Sequence, residues 1–417
     1  MRYNFGMCGI VTSVLLLAHL AAGDDGARKL TDGQRIVIAE GAAWGVVNTL
    51  SDGSLGLIIQ RSRSLEEIDA TNVAMEWLRS TDGGKTWSDP VMIHERRSPD
   101  GKLYEPRPDG GYVVFQERNE AFGQLPSGRI VCAFCELNYH YDADGEQINA
   151  PGVNWSHVNQ GIVYMWSDDL GISWSPPRQM TISPFGGAPP LVSPHWRIVS
   201  LSDGTALVTI YGSNDPSYAG DLDIPDDTRA ICGVLRSTDN GETWGDASVI
   251  LAKPEKLMWE ETALCLLDDD KLIAHVRTGR HNIIQYVSSD KGRTWQGPTE
   301  VNEPGQQPGG AFRLQSGRLL CTWGNRRAPF GAVAMISDDE GATWDYDHRV
   351  SIAWDAHNGD CGYANGAQAG DGTIVVTYYD MGEKTSYRNL WEKSRVFVVR
   401  FTEEQFLAAA GITSADP

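Results

Sequence analysis

Two cysteines in this chain have a spacing that is compatible with metal or redox chemistry. Cys132 and Cys135 form a Cys-x-x-Cys pair, an arrangement that can bind zinc or exchange disulfides. The pair lies in the apolar run "RIVCAFCEL", and neither a second such pair nor a neighbouring histidine cluster completes a zinc site. Residues three apart on a strand point to opposite faces of the sheet. We therefore expect buried thiols here, although an exported chain could also form an occasional disulfide.

Aspartates recur at fixed spacing, and carboxylates are calcium ligands. One pattern, Ser-x-Asp-x-Gly-x-Thr/Ser-Trp, occurs five times, at 80–87, 167–174, 237–244, 288–295 and 337–344. Each copy offers too few oxygen ligands for calcium, whereas Asp and Ser side chains can cap a tight turn in which Gly supplies a positive φ. We call these segments Ser-x-Asp turns and predict a structural role for them. "DADGE" at 142–146 also permits a calcium interpretation, but such strings are common in turns. No metal site and no cofactor is predicted.

A second repeat places a short turn between two apolar runs, which is the main short-range signal for a β-hairpin. It occurs six times, at 50–59, 125–134, 201–210, 266–276, 314–323 and 369–378, and the first five copies are each followed by one Ser-x-Asp turn. Two hairpins per unit give about four strands. The sequence therefore predicts an all-β fold, a six-bladed β-propeller of four-stranded antiparallel blades.

In a propeller, the strand that leads into each hairpin turn lies nearest the axis, so equivalent positions on these strands form a ring. The residues eight before the centre of each turn are Trp44, Asn119, His195, Glu261, Pro308 and Tyr363. This ring brings a carboxylate and a phenol, Glu261 and Tyr363, to equivalent positions of two blades.

The ends of the chain have distinct patterns. Residues 1–23 contain Arg2, an apolar run from about Ile10 to Leu20, and small residues, which is the layout of a cleaved signal peptide. We expect a secreted or periplasmic protein, with the propeller over 24–401. A capping box at Thr402 and Gly411 predicts a short helix within 402–417. The formal charge of −20 argues against nucleic acid or an anionic membrane as the main partner, and no further segment is apolar enough for membrane insertion.

Five Ser-x-Asp turns, or Asp boxes, on a six-fold hairpin repeat resemble the sialidase (neuraminidase) superfamily of BNR/Asp-box propellers over nearly the whole mature chain. The resemblance implies a tyrosine nucleophile with a helper glutamate, an aspartate acid/base on a loop, and three arginines that hold the substrate carboxylate. It also implies a glycan or glycoconjugate as the substrate. Arginine suits the last task because its planar guanidinium pairs bidentately with carboxylates.

Four segments resemble the parts of the family that carry these residues. "GDCGYANG" (359–366) would supply Tyr363 as the nucleophile, and "WEETALCLLDDDKLIAHVR" (259–277) would supply Glu261 and Arg277. "CTWGNRRAPF" (321–330) offers Arg326 and Arg327 for the third arginine, of which Arg327 is preferred. The segment before the first Ser-x-Asp turn offers an acid/base aspartate, and the position eleven residues before Ser80 is Asp69.

The first blade departs from the family pattern. The family has an Arg-Ile-Pro phrase about nine residues before the turn aspartate, whereas this chain has Ala43 there. One arginine of the triad is therefore missing or is supplied from elsewhere, with Arg63 as one source. Three functions stay open. They are an exported retaining exo-glycosidase for a terminal acidic sugar, a glycosidase for a different sugar, and a non-catalytic glycan-binding propeller.

Overall fold

The computed structural model describes residues 26–65, 67–68, 70–150, 157–186, 192–214, 222, 224–225, 227–254, 260–383 and 393–412. The strands in chain order are β1 (Arg28–Lys29), β2 (Gln34–Glu40), β3 (Ala42–Thr49), β4 (Leu55–Leu65), β5 (Ala70–Ser80), β6 (Val91–His94), β7 (Tyr104–Pro106), β8 (Tyr112–Gln124), β9 (Ile130–Tyr141), β10 (His157–Ser167), β11 (Arg178–Gln179), β12 (Phe185–Gly186), β13 (Val192–Ser200), β14 (Ala206–Asn214), β15 (Ala230–Ser237), β16 (Gly245–Lys253), β17 (Thr262–Leu266), β18 (Leu272–Arg277), β19 (Ile283–Ser288), β20 (Gln296–Glu300), β21 (Gln306–Arg313), β22 (Leu319–Asn325), β23 (Gly331–Ser337), β24 (Val350–Ala353), β25 (Cys361–Gln368), β26 (Ile374–Asp380) and β27 (Arg395–Phe401). A 3-10 turn (Asp268–Asp270) and one α-helix, α1 (Glu403–Ala410), complete the described elements.

The pairing of these strands repeats every four strands. Antiparallel ladders connect β3 to β6, β8 to β11, β13 to β16, β17 to β20 and β21 to β24 in sequence order. The last group is β25, β26 and β27, and the N-terminal strand β2 pairs with β27 as its fourth member. Short parallel contacts of β8 with β5 and with β13 join the first three groups into one 14-stranded sheet. The all-β prediction is confirmed, whereas closure into six separate blades stays a prediction.

The predicted hairpins form at the expected positions. The second-repeat turns connect the first and second strands of each group, and the Ser-x-Asp turns connect the third and fourth strands in five groups. Since the first and third strands of an antiparallel group run in the same direction, both kinds of turn lie at the same end of the group. Residues near the beginning of each first strand therefore lie at the opposite end.

The Ser-x-Asp turns have the side-chain bonding that their sequence predicts. In the last copy, the Asp339 carboxylate accepts hydrogen bonds from the backbone N–H and the hydroxyl of Thr343 at 2.9 and 2.6 Å and from the Ser337 hydroxyl at 2.8 Å. The Ser337 hydroxyl in turn accepts the N–H of Gly341 at 2.9 Å. The same set recurs in the other four copies. These turns are structural.

The first strand of several groups contains a β-bulge at the predicted ring position. Register shifts follow Ala43, Arg118, Gln306 and Gly362, and a longer one follows Pro194. A bulge re-aims side chains relative to a regular strand. Four of these bulges each contain a non-glycine residue with a positive φ, a backbone conformation that is uncommon outside glycine. These residues are Trp44 (48°), Asn119 (54°), Trp196 (56°) and Tyr363 (50°).

The bulge in β13 contains one residue more than the others, and its positive-φ residue is Trp196. The predicted ring residue His195 directly follows the start of this bulge, and its ring lies 6.3 Å from the Tyr363 ring. One other ring position needs correction. Tyr363 directly follows the first residue of the bulge in β25. The equivalent residue in β21 is Gln307 and not the predicted Pro308. Glu261 directly precedes β17, and its carbonyl accepts the Arg277 N–H at 3.0 Å.

The core consists of apolar clusters between and within the groups. The described cysteines are all buried and unpaired, and the Cys132 and Cys135 side chains belong to two different clusters, as their strand spacing predicts. Burial raises the pKa of the Cys135 thiol to about 12, so it is protonated at neutral pH. Helix α1 begins after a capping box at Thr402 and ends at Gly411, as predicted. Within the described residues, no helix is long and apolar enough to cross a membrane.

Candidate active site

Tyr363, Glu261 and Arg277 form one hydrogen-bonded group at the end of the fold opposite the turns. The Tyr363 hydroxyl donates to Oε1 of Glu261 at 2.6 Å. Arg277 Nη1 donates to Oε2 of Glu261 at 2.8 Å and to the Tyr363 hydroxyl at 3.0 Å. Arg277 Nε donates to Oε1 of Gln307 at 2.9 Å, and the Gln307 amide nitrogen lies 2.8 Å from Nδ1 of His281. Three groups of strands thus hold the arginine in place.

The protonation states of this group follow from burial and charge. Burial raises the pKa of Glu261, but the positive charge of Arg277 and the hydrogen bonds outweigh it, so the pKa lies below its ordinary value of 4.5. Burial and the negative charge of Glu261 raise the pKa of Tyr363 above its ordinary value of 10.0. At neutral pH a neutral phenol therefore donates its proton toward an ionised carboxylate. This is the arrangement of a nucleophile with its general base.

Arg326 lies in the same pocket, and Arg327 does not. The Arg326 guanidinium lies 5.3 Å from the centre of the Tyr363 ring and donates to the Tyr379 hydroxyl at 3.0 Å. That hydroxyl donates to Asp360 at 2.7 Å. Arg327 instead pairs at 2.7 Å with an exposed carboxylate, that of Glu303. The structure therefore brings Arg326 into the pocket, and not Arg327, which the sequence analysis preferred, because the two neighbouring side chains point to different partners.

Among its described residues, the first group of strands contributes no arginine to this pocket. Ala43 is completely buried. The predicted substitute, Arg63, pairs with Glu95 at 3.0 Å and with Glu76 at 3.6 Å, and it does not line the pocket. The predicted acid/base residue, Asp69, lies outside the described residues.

The pocket around Tyr363 has a cavity volume of about 230 Å³. Its lining combines charged, aromatic and amide side chains: Trp44, Arg118, Asn119, Leu137, Tyr139, His157, Ser193, Glu261, Arg277, Arg326, Asp360, Tyr363 and Tyr379. None of the Ser-x-Asp turns contributes to it. Such a cavity with convergent polar groups is the usual form of a small-ligand site.

Sequence reasoning missed Arg118, Tyr379 and Asp360 in this lining. Arg118 directly precedes Asn119, which the ring prediction did identify, so the signal for Arg118 was one residue away. Tyr379 lies on β26, the second strand of its group, and its register partner is Gly362, the residue before Tyr363. Only the pairing register, which the ring prediction did not use, reveals that position.

One possible metal-ligating group occurs among the described residues, outside this pocket. His94, Glu117 and Glu136 place one ligand atom each within 4.8 Å of one another. Nδ1 of His94 lies 3.1 Å from Glu117, an arrangement that a hydrogen bond between the side chains also explains. We assign no metal to it.

The fold and the pocket together define the class of this protein. A family model described as a BNR repeat-like domain matches residues 146–376, and a BNR/Asp-box repeat model matches residues 78–89. The chain therefore belongs to the BNR repeat-like domain family, and its fold is sialidase-like. The chain matches no curated protein by sequence.

Solved structures share this fold at low sequence identity. A protein of unknown function from Dyadobacter fermentans is 21% identical, with a TM-score of 0.67 over 90% of this chain and 99% of its own. The NanB sialidase of Streptococcus pneumoniae is 15% identical, with a TM-score of 0.63 over 91% of this chain and 71% of its own. The intramolecular trans-sialidase of Ruminococcus gnavus, in complex with oseltamivir carboxylate, is 12% identical, with a TM-score of 0.60 over 92% of this chain and 99% of its own.

Proposed function

We propose that this chain is an exported, exo-acting glycosidase that hydrolyses a terminal acidic sugar with retention of anomeric configuration. The observation that carries the proposal is the Tyr363–Glu261–Arg277 group in an open pocket, with a phenol hydroxyl 2.6 Å from an ionised buried carboxylate. An anomeric carbon that bears a carboxylate repels an Asp or Glu nucleophile. Sialidases accordingly use a tyrosine in that role.

In the first chemical step, the Tyr363 oxygen attacks the anomeric carbon as its proton passes to Glu261 and the bond to the leaving oxygen breaks. The leaving oxygen takes a proton from an acid, for which Asp69 is the candidate on the basis of the family resemblance. In the second step, the deprotonated acid takes a proton from water, whose oxygen attacks the anomeric carbon from the face opposite Tyr363. The bond to the Tyr363 oxygen breaks, and Glu261 returns its proton to the phenol. Two inversions give net retention.

Arg277 and Arg326 are placed to hold the carboxylate of the substrate in this proposal. Arg277 is buried, Arg326 is half-buried, and both line the pocket beside Tyr363. A guanidinium pairs strongly with a carboxylate. Arg277 has a second effect, because its charge keeps Glu261 ionised. It is therefore expected to act on both substrate binding and base strength.

We further propose that the six four-stranded groups close into a six-bladed propeller, and that residues 1–23 direct export. The pairing of β2 with β27 supports closure, because it joins the N-terminal part of the chain to the last group. Residues 1–23 lie outside the described part of the chain, so the export proposal depends on their sequence alone.

Turnover of fluorogenic glycosides tests the proposed activity. We expect hydrolysis of a sialoside or of another acidic glycoside, and a loss of about 1000-fold or more in kcat for Tyr363→Phe. Uronic-acid, ketodeoxynonulosonic-acid and neutral glycosides in the same screen identify the sugar. Unchanged turnover in Tyr363→Phe, with the substitution verified by mass, would contradict the mechanism.

A second candidate is a glycan-binding protein without catalysis, and the buried Ala43 in place of an arginine favours it. The same screen separates the two functions when binding is measured in parallel. A chain that binds an acidic sugar by calorimetry and hydrolyses none of the glycosides is a lectin-like module. A chain that does both is the glycosidase.

A further inference from the structure

Arg118 on β8 lies at the side of the pocket from which the first-group arginine is missing. The first strand of that group, β3, presents Trp44 to the pocket from its bulge, with φ = 48°. The Arg118 guanidinium lies over the Trp44 ring, 4.5 Å from its centre. The neighbouring group of strands therefore brings a guanidinium to the wall where Ala43 provides no charge.

Trp44 also contacts the catalytic candidates. Its ring meets the Tyr363 ring edge-on at 6.1 Å and the Tyr379 ring at 5.2 Å. Trp44 thus contacts both Arg118 and the proposed nucleophile. The cation–π contact holds the Arg118 guanidinium at the wall of the pocket, and a guanidinium can pair bidentately with a carboxylate.

The charges around the pocket favour an anion at this point. Three arginines, Arg118, Arg277 and Arg326, line the pocket, together with two carboxylates, those of Glu261 and Asp360. Glu261 pairs with Arg277, and Asp360 accepts from the Tyr379 hydroxyl. The lining therefore has an excess of positive charge in a protein whose formal net charge is −20. A cationic pocket in an acidic protein concentrates anionic ligands locally.

We propose that Arg118 is the third arginine that contacts the substrate carboxylate, supplied by the second group of strands and oriented by Trp44. The inference deepens the proposed function and rests on its acidic substrate class. It replaces Arg63, whose side chain is paired with Glu95 and Glu76. Arg118 therefore determines specificity for sugars that bear a carboxylate over their neutral counterparts.

A pair of ligands that differ only at the carboxylate tests this role. The first is 2-deoxy-2,3-didehydro-N-acetylneuraminic acid, and the second is its methyl ester. Affinities are measured by calorimetry for the full-length protein and for Arg118→Gln and Arg118→Lys. We expect Arg118→Gln to weaken binding of the acid about 30-fold and to leave binding of the ester nearly unchanged. Arg118→Lys keeps the charge but lacks the planar fork, and we expect an intermediate affinity.

Arg178→Gln is the matched control, because Arg178 also lies over a tryptophan ring, 4.4 Å from Trp166, outside the pocket. We expect no change in either affinity for this variant. Equal weakening of acid and ester by Arg118→Gln, no weakening of either, or no preference of the unsubstituted protein for the acid would each overturn the inference. Carboxylate-dependent binding without turnover would support Arg118 and contradict the glycosidase proposal, so the two failures are distinguishable.

Discussion

At the scale of single residues, the site depends on a balance of charges around one buried carboxylate. Glu261 is only 3% exposed, and burial alone would favour its neutral form. The adjacent Arg277 reverses that preference. The carboxylate is therefore ionised at neutral pH and can accept the phenol proton, while the phenol remains protonated until it reacts.

This balance predicts the pH dependence of the reaction. Because the pKa of Glu261 lies below 4.5, the base is ionised at higher pH, and the acid limb of kcat/KM that belongs to it should lie below pH 4.5. Removing the charge in Arg277→Gln should move this limb to higher pH, because burial then acts on Glu261 without the opposing charge. Arg326→Gln is the control, since it removes another pocket arginine that is not among the leading causes of the shift in Glu261. An acid limb that stays in place in Arg277→Gln would show that another group controls it.

At the scale of elements, two repeated structural features have different roles. The Ser-x-Asp turns stabilise the connection between the third and fourth strands, and the bulges at the other end present side chains to the pocket. Both features recur, but their sequence signals differ. The turn repeats a fixed pattern of side chains and was predicted in detail. The bulge is a backbone feature with no fixed residue type, so its extra residue in β13 was not predictable.

The turns give a prediction about stability. Asp339 accepts three hydrogen bonds within its turn, whereas the adjacent Asp338 forms only an exposed ion pair with Arg318. We expect Asp339→Ala to lower the free energy of unfolding by about 1 to 2 kcal/mol, and Asp338→Ala to lower it by less than about 0.5 kcal/mol. Chemical denaturation measures both values.

The pH dependence of this effect has a defined sign. Burial raises the pKa of Asp339, but the hydrogen bonds from Thr343 and Ser337 together outweigh it and lower the pKa below its ordinary value of 3.8. The stabilisation from the ionised carboxylate is therefore present above pH 3.8 and is lost as the pH falls through the lowered pKa. The difference between Asp339→Ala and the unsubstituted protein should narrow in that range. Equal effects of the two alanine substitutions at pH 7 would contradict the structural role of the turn.

At the scale of the whole molecule, the repeats made the strand groups and the pairing of distant residues predictable. Counting back from equivalent turns brought Glu261 and Tyr363 together although 102 positions separate them in the chain, and their side chains are in hydrogen-bond contact. The repeats could not predict which side chains extend toward a neighbouring group of strands or into the pocket. Arg118 reaches toward Trp44 of the group before it, and Arg326 but not Arg327 faces the pocket, because these directions depend on local backbone turns.

The overall charge and the pocket charge also differ at this scale. A formal charge of −20 keeps polyanions away from most of the surface, whereas the arginines of the pocket attract a single carboxylate. The combination is compatible with the proposed function, in which one terminal acidic sugar at a time enters the pocket from a larger glycan.

The covalent intermediate on Tyr363 is the most direct test of this account. A sialosyl fluoride with a second fluorine at C3, or the corresponding fluorosugar of the acid found in the screen, forms the intermediate and slows its hydrolysis. We predict an intact-mass increase of one glycosyl unit per chain, mapped by peptide sequencing to Tyr363 and absent in Tyr363→Phe. Turnover of the parent glycoside together with a label on another residue, or with no label at all, would contradict the claim that Tyr363 is the nucleophile.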